Sequence, residues 1–175
     1  MSAEIARRSP IEVNTDVLTR AQRGDALALH ELLRILEPYV GRICGAIALD
    51  EGADAAQETL IIVFKNVRSV REPQALAGWV RTIATREAIR IARRRPLTTD
   101  PLDLADVPDL SDPETRIDVR RTLERLSPEH RAVLMLSAFD DLDETAIAQQ
   151  LSVSRGTVKS RLHRARTRFR NEWRA

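Results

Sequence analysis

The sequence predicts an all-α protein made of two small helical domains joined by an acidic linker. Hydrophobic residues make up 43% of the 175 residues, which excludes a disordered chain. They recur at spacings of three and four over long stretches, the period of a helix with one buried face. Only six glycines are present and aromatic residues make up 3% of the chain, so a turn-rich β fold is not expected.

The linker is the stretch 96–113, which holds four prolines and five aspartates and no lysine or arginine. It has no helical period, and long unstructured loops are uncommon inside one compact unit. The stretch therefore divides the chain. We expect a flexible N-terminal arm (1–14), a first domain (15–95), the acidic linker (96–113) and a second domain (114–175).

The first domain is expected to open with two helices. Candidate caps of a short first helix are Asn14, Thr15 and Asp16. Gly24 ends this helix, and Asp25 caps a longer one with an apolar stripe. Pro38 lies inside the longer helix and is expected to bend or break it near Glu37, because proline lacks the backbone donor.

Two more helices are expected in the first domain, at about 54–66 and 74–94, with a loop between them. The apolar residues of the third helix that are predicted to point inward are Ala55, Leu60, Ile61 and Phe64. In the fourth helix Trp79 recurs at helical spacing with other apolar residues, which favours a place in the core.

The second domain begins with a helix at about 116–126. Ser127 and Pro128 then form a strong helix start, with serine at the cap and proline where its missing N–H costs nothing. This helix is expected to run to about residue 139 and to lead into the most informative stretch of the chain.

That stretch, residues 143–170, is predicted to be a helix-turn-helix. Asp143 caps its first helix, and Ser154 caps the second. Such turns usually carry glycine for a left-handed backbone, and Ser152 stands there instead. The apolar stripe of the second helix is Val158, Leu162, Ala165, Phe169 and Trp173. Arginine and lysine fill the positions between, a pattern typical of a helix that enters the DNA major groove.

An alternative interpretation is a solvated basic face on a packed helical hairpin. Two features favour DNA binding. The short, doubly capped turn makes the helices cross, and the basic residues begin at the start of the second helix, where base-reading side chains lie. The net charge is only +2, but acidic and basic residues are concentrated in different stretches of the chain. This separation suggests a polyanionic partner that binds at particular surfaces.

Several other function classes are not supported by the residues. Cys44 is the single cysteine, so no intramolecular disulfide forms, and its apolar surroundings predict a buried small hydrophobe. We find no motif for a phosphate-binding loop, a metalloprotease or a serine hydrolase. We therefore predict no catalytic residue, metal or cofactor. No run approaches the ~20 apolar residues of a transmembrane helix, so we expect a cytoplasmic protein.

Four motifs occur along the chain: DAAQETLIIVFKNV (54–67), LAGWVRTIATREAIRIARRR (76–95), LERLSPEHRAVLML (123–136) and GTVKSRLHRAR (156–166). Together they resemble the extracytoplasmic-function (ECF, group IV) sigma factors of bacterial RNA polymerase. A single motif of this kind is weak, but all four occur in the family's order and at its separations. The resemblance covers about residues 16–173 and implies a sigma2-like domain followed by a sigma4-like domain.

The resemblance implies that the first domain docks on a coiled coil of the polymerase largest subunit. The residues that match the docking motif are Asp54, Gln57 and Glu58. It also implies that the fourth helix and the loop before it read the −10 promoter element, partly as single strand. The basic residues there are Arg68, Arg71, Arg81, Arg86, Arg90, Arg93 and Arg94. Arg86 and Arg90 stand where the family usually has Asn and often has Asp, which leaves base specificity open.

The helix-turn-helix, by the same resemblance, holds the −35 element as duplex. The expected contacts are Arg155, Thr157, Lys159, Ser160, Arg161 and Arg164. Arginine pairs bidentately with guanine, while lysine and serine hold phosphates. The implied partners are core RNA polymerase and promoter DNA, without direct membrane insertion. Many relatives are held by an anti-sigma factor, so such an inhibitor is an open third partner.

Two other functions remain open from the sequence. A stand-alone helix-turn-helix repressor or activator would bind duplex DNA without polymerase, although no dimerisation domain or heptad seam is visible. A helical interaction module would use its basic faces to meet an acidic protein. The sigma-factor interpretation predicts transcription from specific promoters in response to a stress or signal.

Overall fold

The computed structural model describes residues 11, 13–94 and 113–173. Within these residues all regular secondary structure is helical, which confirms the predicted fold class. The α-helices are α1 (Thr15–Gln22), α2 (Ala26–Ala48), α3 (Gly52–Asn66), α4 (Leu76–Ala92), α5 (Pro113–Glu124), α6 (Pro128–Ala138), α7 (Glu144–Leu151) and α8 (Arg155–Trp173). We call α1–α4 the N-terminal bundle and α5–α8 the C-terminal bundle. The predicted arm lies outside the described residues except at 11, 13 and 14, and the predicted linker except at 113.

The helix caps predicted from the sequence are confirmed. The Asn14 side chain accepts from the backbone N–H two residues on, at 2.9 Å. Asp25 Oδ1 accepts from the N–H groups two and three residues on, both at 3.0 Å. Ser127 Oγ accepts from the N–H three residues on, at 3.4 Å. These oxygens supply the partners that the first N–H groups of a helix lack.

Helix α2 continues through Pro38, so of the two outcomes predicted near Glu37, a bend or a break, the break does not occur. An interior proline costs about 3 kcal/mol or more. The helix is nevertheless the centre of the N-terminal bundle and packs against α1, α3 and α4. Its fully buried residues include Leu32, Leu36, Val40 and Ile43. Each such side chain contributes about 1.5–3 kcal/mol on burial, so packing outweighs the cost of the proline.

Two glycines bring the end of α2 close to the start of α3. A Cβ added to Gly52 would lie 2.7 Å from the Cα of Gly45 and 3.1 Å from its backbone nitrogen. Side chains at this crossing would therefore collide with backbone. The absence of a Cβ on Gly52 lets α3 begin directly beside α2.

The predicted inward face of α3 is wrong at two positions. Ile61 is 38% exposed and Phe64 is 53% exposed. The buried face of α3 is instead Ala55, Thr59 and Val63. Thr59 is tolerated there because its hydroxyl donates to the Ala55 carbonyl at 2.7 Å.

Cys44 is fully buried, as predicted. Its sulfur lies 3.8 Å from the hydroxyl of Thr59 on α3 and 3.8 Å from the carbonyl of Ala84 on α4. Burial raises the pKa of the thiol to about 12. The thiol is therefore protonated at neutral pH and is not available as a nucleophilic thiolate.

Arg131, on α6, links the two bundles although it is only 4% exposed. Its Nε donates to the carbonyl of Ile47 near the end of α2 at 2.6 Å, and its Nη1 donates to the carbonyl of Leu126 at 2.7 Å. Burial lowers its pKa to about 10, so it stays charged at neutral pH. A cation at the end of α2 also meets the negative end of the helix dipole.

Candidate nucleic-acid interface

The helix-turn-helix has the local geometry that the sequence predicts. Asp143 Oδ1 accepts from the backbone N–H of Ala146 at 2.8 Å and caps α7. Ser152 ends α7 in the left-handed conformation, with φ 54° and ψ 45°. Ser154 Oγ then accepts from the N–H of Thr157 at 3.1 Å and caps α8. The serine that replaces the usual glycine therefore adopts the backbone that glycine would supply.

The apolar stripe of α8 holds this helix against α6 and α7. Val158, Leu162 and Ala165 are buried, together with Ile147 on α7. Phe169 is half-buried. Since one face of α8 is fixed in the core, the residues between these positions must point outward.

The predicted −35 residues lie on this outward face at the start of α8. Arg155, Lys159, Ser160 and Arg164 are exposed, and Thr157 and Arg161 are half-buried. Arg155 lies 3.3 Å from a carboxylate oxygen of Glu144 and remains 72% exposed. Ser160 donates to the Thr157 carbonyl at 3.0 Å. The set forms one polar surface whose charged groups are accessible to a ligand, although the Arg155 guanidinium also contacts Glu144.

The positive charge of this surface affects the pKa of His130 at the start of α6. Burial lowers the pKa of His130, and the guanidinium groups of Arg161, Arg164 and Arg168 lower it further. A neutral imidazole is the form that burial and neighbouring cations favour. The three arginines lie close enough to act on one imidazole, and a cluster of arginines of this kind attracts phosphates.

The predicted −10 residues are divided among three environments. Arg68, Arg71 and Arg94 are exposed. Arg90 pairs with Glu87 one turn earlier in α4. The remaining members, Arg81, Arg86 and Arg93, all contact the C-terminal bundle. Trp79, on the same helix, packs partly buried against the core, which favours the structural role predicted for it.

The predicted polymerase-docking residues share one exposed face of α3. Asp54, Gln57 and Glu58 are all exposed, and their spacing places them on successive turns of one side. Ile61 and Phe64 continue the same side toward the end of the helix. Sequence reasoning missed these two residues as surface residues because it placed both of them in the core on their apolar character.

An open groove of about 350 Å³ runs between the start of α3 and the end of α4. Its lining residues are Glu51, Asp54, Gln57, Glu58, Arg90, Ile91 and Arg94. The carboxylates that were predicted to dock on polymerase thus line the same groove as two of the arginines that were predicted to contact DNA. The pKa of Arg90 is raised mainly by its hydrogen bond to Glu87, with a smaller contribution from Glu58 across the groove.

Within the part of the chain that the structure describes, no three His, Cys, Asp or Glu side chains are grouped so as to hold a metal ion. No helix in that part is both long and apolar enough to span a lipid bilayer.

Comparison with known proteins identifies both bundles. The family model "Sigma-70 region 2" matches residues 30–97, and "Sigma-70, region 4" matches residues 116–169. The chain is 33% identical over 133 residues to the ECF RNA polymerase sigma factor SigE of Mycolicibacterium smegmatis, with 69% of this chain and 51% of that protein covered. It is 30% identical over 161 residues to the ECF RNA polymerase sigma factor SigM of Mycobacterium tuberculosis, with 89% and 82% covered.

Among solved structures, the chain resembles the sigma factor RpoE of Bartonella quintana, which was crystallised in complex with the anti-sigma factor NepR. The TM-score is 0.61 at 20% identity, with 83% of this chain and 96% of that chain covered. The likeness supports the fold. The chain spans about half the length of SigE and most of the length of SigM.

Proposed function

This chain belongs to the ECF group of the sigma-70 family of RNA polymerase sigma factors, and from that premise we propose which of its surfaces performs each step of promoter recognition. Sigma factors are transcription initiation factors that bind core polymerase and promoter DNA. The proposed first domain (15–95) overlaps the region 2 match (30–97), which runs two residues into the proposed linker, and the proposed second domain (114–175) includes the region 4 match (116–169). One observation carries the assignment: a single chain presents both an exposed acidic and apolar helix face and a helix-turn-helix with an exposed basic first turn.

The proposed polymerase contact is the exposed face of α3. Its carboxylates at Asp54 and Glu58 suit basic residues of a partner. Phe64, which is 53% exposed, supplies the large apolar area that dominates the energy of protein interfaces. Ile61 extends that area by one turn. An apolar anchor beside a charged rim is the usual composition of such a contact.

A matched pair of phenylalanines tests this docking face. Phe139 is 51% exposed and lies outside α3, so it presents a similar ring elsewhere. Phe64→Ala is expected to weaken binding to core polymerase by about 2 kcal/mol, roughly thirtyfold, as for an interface anchor. Phe139→Ala is expected to leave it unchanged. Equal affinities of the two variants, measured by fluorescence titration with core enzyme, would remove α3 from the contact.

The proposed −35 contact is the outward face at the start of α8. Arg155 and Arg164 have long, exposed side chains that end in a planar guanidinium group, which suits bidentate pairing with guanine in the major groove. Lys159 and Ser160 suit phosphate contacts that position the helix without reading sequence. The proposed −10 contact is the basic surface of α4 and the loop before it, where Arg68 tracks the backbone of a melted strand.

Transcription in vitro tests the whole assignment against its rivals. Core polymerase with this chain is expected to give run-off product from a cognate promoter, and neither component alone is expected to do so. Tight duplex binding without transcript would favour a stand-alone helix-turn-helix regulator. Failure to bind either polymerase or DNA would favour a protein-interaction module. The occurrence of both sigma regions in one chain disfavours these two alternatives.

The remaining assignments also follow from membership of this family. We propose that the chain works in the cytoplasm, where polymerase acts, and that it catalyses no reaction of its own. An inhibitor that binds it, as NepR binds RpoE, would appear as a copurifying protein when the chain is isolated from cells. Recovery of polymerase alone would argue against a stable inhibitor.

A further inference from the structure

The loop between α3 and α4 is held in place by a side chain from α1. This loop (67–75) belongs to the surface that we assign to the −10 element. The side-chain amide of Gln22, the last residue of α1, donates to the carbonyl of Val67 at 3.0 Å and to the carbonyl of Val70 at 2.7 Å. The two acceptors lie 45 and 48 positions further along the chain. An amide nitrogen carries two hydrogens, so both are used in holding the loop.

The two valines are also the points at which the loop enters the core. Val67 is 2% exposed and Val70 is 6% exposed. Arg68, Ser69 and Arg71 are exposed. The backbone is thus fixed on its inner side at two places, and the side chains between and after them face solvent. Because a peptide unit is planar, holding the Val70 carbonyl also fixes the backbone nitrogen of Arg71.

Hydrogen bonds formed within the loop are local and define short stretches of it. Ser69 Oγ donates to the Asn66 carbonyl at 2.7 Å, and the Val70 N–H donates to the Val67 carbonyl at 3.3 Å. Neither bond fixes the loop relative to the rest of the N-terminal bundle. The bonds from Gln22 do so, because α1 is itself packed on α2.

Helix α1 is a firm support for such a side chain. Val17, Leu18 and Ala21 are buried. Arg20 Nε donates to Asp25 Oδ2 at 2.9 Å, across the turn that joins α1 to α2. A side chain that positions another group is most effective when its own backbone is fixed by packing.

The turn after α1 also contacts the loop. Gly24 has a φ of 94°, a left-handed conformation that glycine adopts without steric cost. A Cβ at this position would lie 3.2 Å from Nη2 of Arg68. The Arg68 guanidinium therefore lies against this turn. The segment that holds the loop backbone thus also supports one of the exposed arginines of the loop.

We propose that Gln22 is a positioning residue for recognition of the −10 element. It fixes the loop in the shape that presents its exposed side chains to the melted strand, and it acts through the loop rather than by contact with DNA. The inference rests on the proposed function of the loop. Attraction of phosphates by arginine needs no fixed backbone, whereas contacts to bases need side chains held in one direction. Loss of the two bonds therefore reduces sequence selectivity more than general strand affinity.

Two substitutions of Gln22 test the proposal. Gln22→Met keeps a side chain of similar length, the same charge and a good helix propensity, but has no N–H to donate. Gln149→Met makes the same change at an exposed position of α7 and serves as control. Gln22→Glu, with Gln149→Glu as its control, removes both donors in a side chain of unchanged shape. This second pair decides the test if Gln22→Met impairs folding.

Release of the loop is measured in the free chain by hydrogen–deuterium exchange of the amides at 67–75. Both Gln22 variants are expected to exchange faster than wild type in this loop and at the wild-type rate in α2 and α8, as for a local opening. Both controls are expected to match wild type in the loop. If loop exchange stays at the wild-type rate in either Gln22 variant, the amide does not hold the loop and the proposal is refuted.

Recognition is measured with holoenzyme, formed from core polymerase and a saturating amount of each variant. One probe is a fluorescent single strand with the −10 element of a promoter from which wild-type holoenzyme gives run-off product. The other is a strand of the same composition in scrambled order. Gln22→Met is expected to bind the first probe about tenfold more weakly, as when the competent fraction of the loop falls to about a tenth, and the scrambled probe within about twofold of wild type. Equal losses on both probes, or no loss on either, would refute the positioning role.

A further variant separates failure of this proposal from failure of the proposed function. Replacing Arg68 and Arg71 with alanine removes two positive charges that the loop presents, so holoenzyme with this change should bind both strands more weakly. If it does not, the −10 assignment of the loop is wrong, while hydrogen exchange still decides whether Gln22 holds the loop.

Discussion

Replacing Gly52 with alanine tests whether the close approach of α2 and α3 positions the docking face. The added Cβ would lie 2.7 Å from the Cα of Gly45, and the obstacle is backbone that cannot rotate away. Overpacking of this kind costs about 1–3 kcal/mol, while replacing glycine by alanine within a helix returns about 0.5–1 kcal/mol. We expect a net loss of roughly 1–2 kcal/mol, together with a displaced start of α3 and weaker binding to polymerase.

Gly41 provides the matched control, because it lies inside α2 and a Cβ there would meet nothing within 4 Å. Gly41→Ala is expected to stabilise the chain by about 0.5–1 kcal/mol through helix propensity alone. Urea unfolding followed by circular dichroism measures both variants, and titration with core polymerase measures docking. If Gly52→Ala proves as stable as Gly41→Ala, the contact argument is wrong.

Three further predictions concern salt, pH and a buried charge. Lys159→Ala is expected to reduce the log–log salt dependence of duplex affinity by about 0.9, and an unchanged slope would remove Lys159 from the phosphate contacts. Burial raises the pKa of Cys44 from 9.0 to about 12 in the folded chain. The contribution of this thiol to the free energy of unfolding is therefore fully present below pH 9.0. It declines between pH 9.0 and about 12, where the unfolded chain ionises first. The loss is at most about 1.4 kcal/mol per pH unit, and urea unfolding of Cys44→Ala should lack it. Arg131→Met removes the donor to three carbonyls, those of Ile47, Leu123 and Leu126, and is expected to cost about 2–4 kcal/mol. A loss below about 0.5 kcal/mol, which is typical of surface changes, would contradict this.

Local signals in the sequence predicted most helix boundaries. Asn14, Asp25, Ser127 and Asp143 were identified as caps, and each accepts a backbone hydrogen bond at the start of its helix. A cap depends on residues only two or three positions away, so a short stretch of sequence contains all that the interaction needs. The left-handed backbone at Ser152 is local in the same sense.

Features that depend on distant parts of the chain were not predicted. Ile61 and Phe64 were placed in the core because apolar character alone does not say which side of α3 meets its neighbours. The buried Thr59 gave no signal, since its hydroxyl is satisfied within its own helix. The contact between Tyr39 and Asp140 joins residues 101 positions apart, and periodicity carries no information about such pairs.

The exposed pair on α3 also bears on how long a molecule of this protein survives in the cell. Isoleucine and phenylalanine side by side in water form the kind of surface patch that promotes self-association and is bound by chaperones. This patch would be buried in molecules that are bound to RNA polymerase, while it would stay exposed to solvent in unbound molecules. We therefore expect turnover to be faster for the surplus, so that the amount of this factor follows the number of enzymes able to receive it.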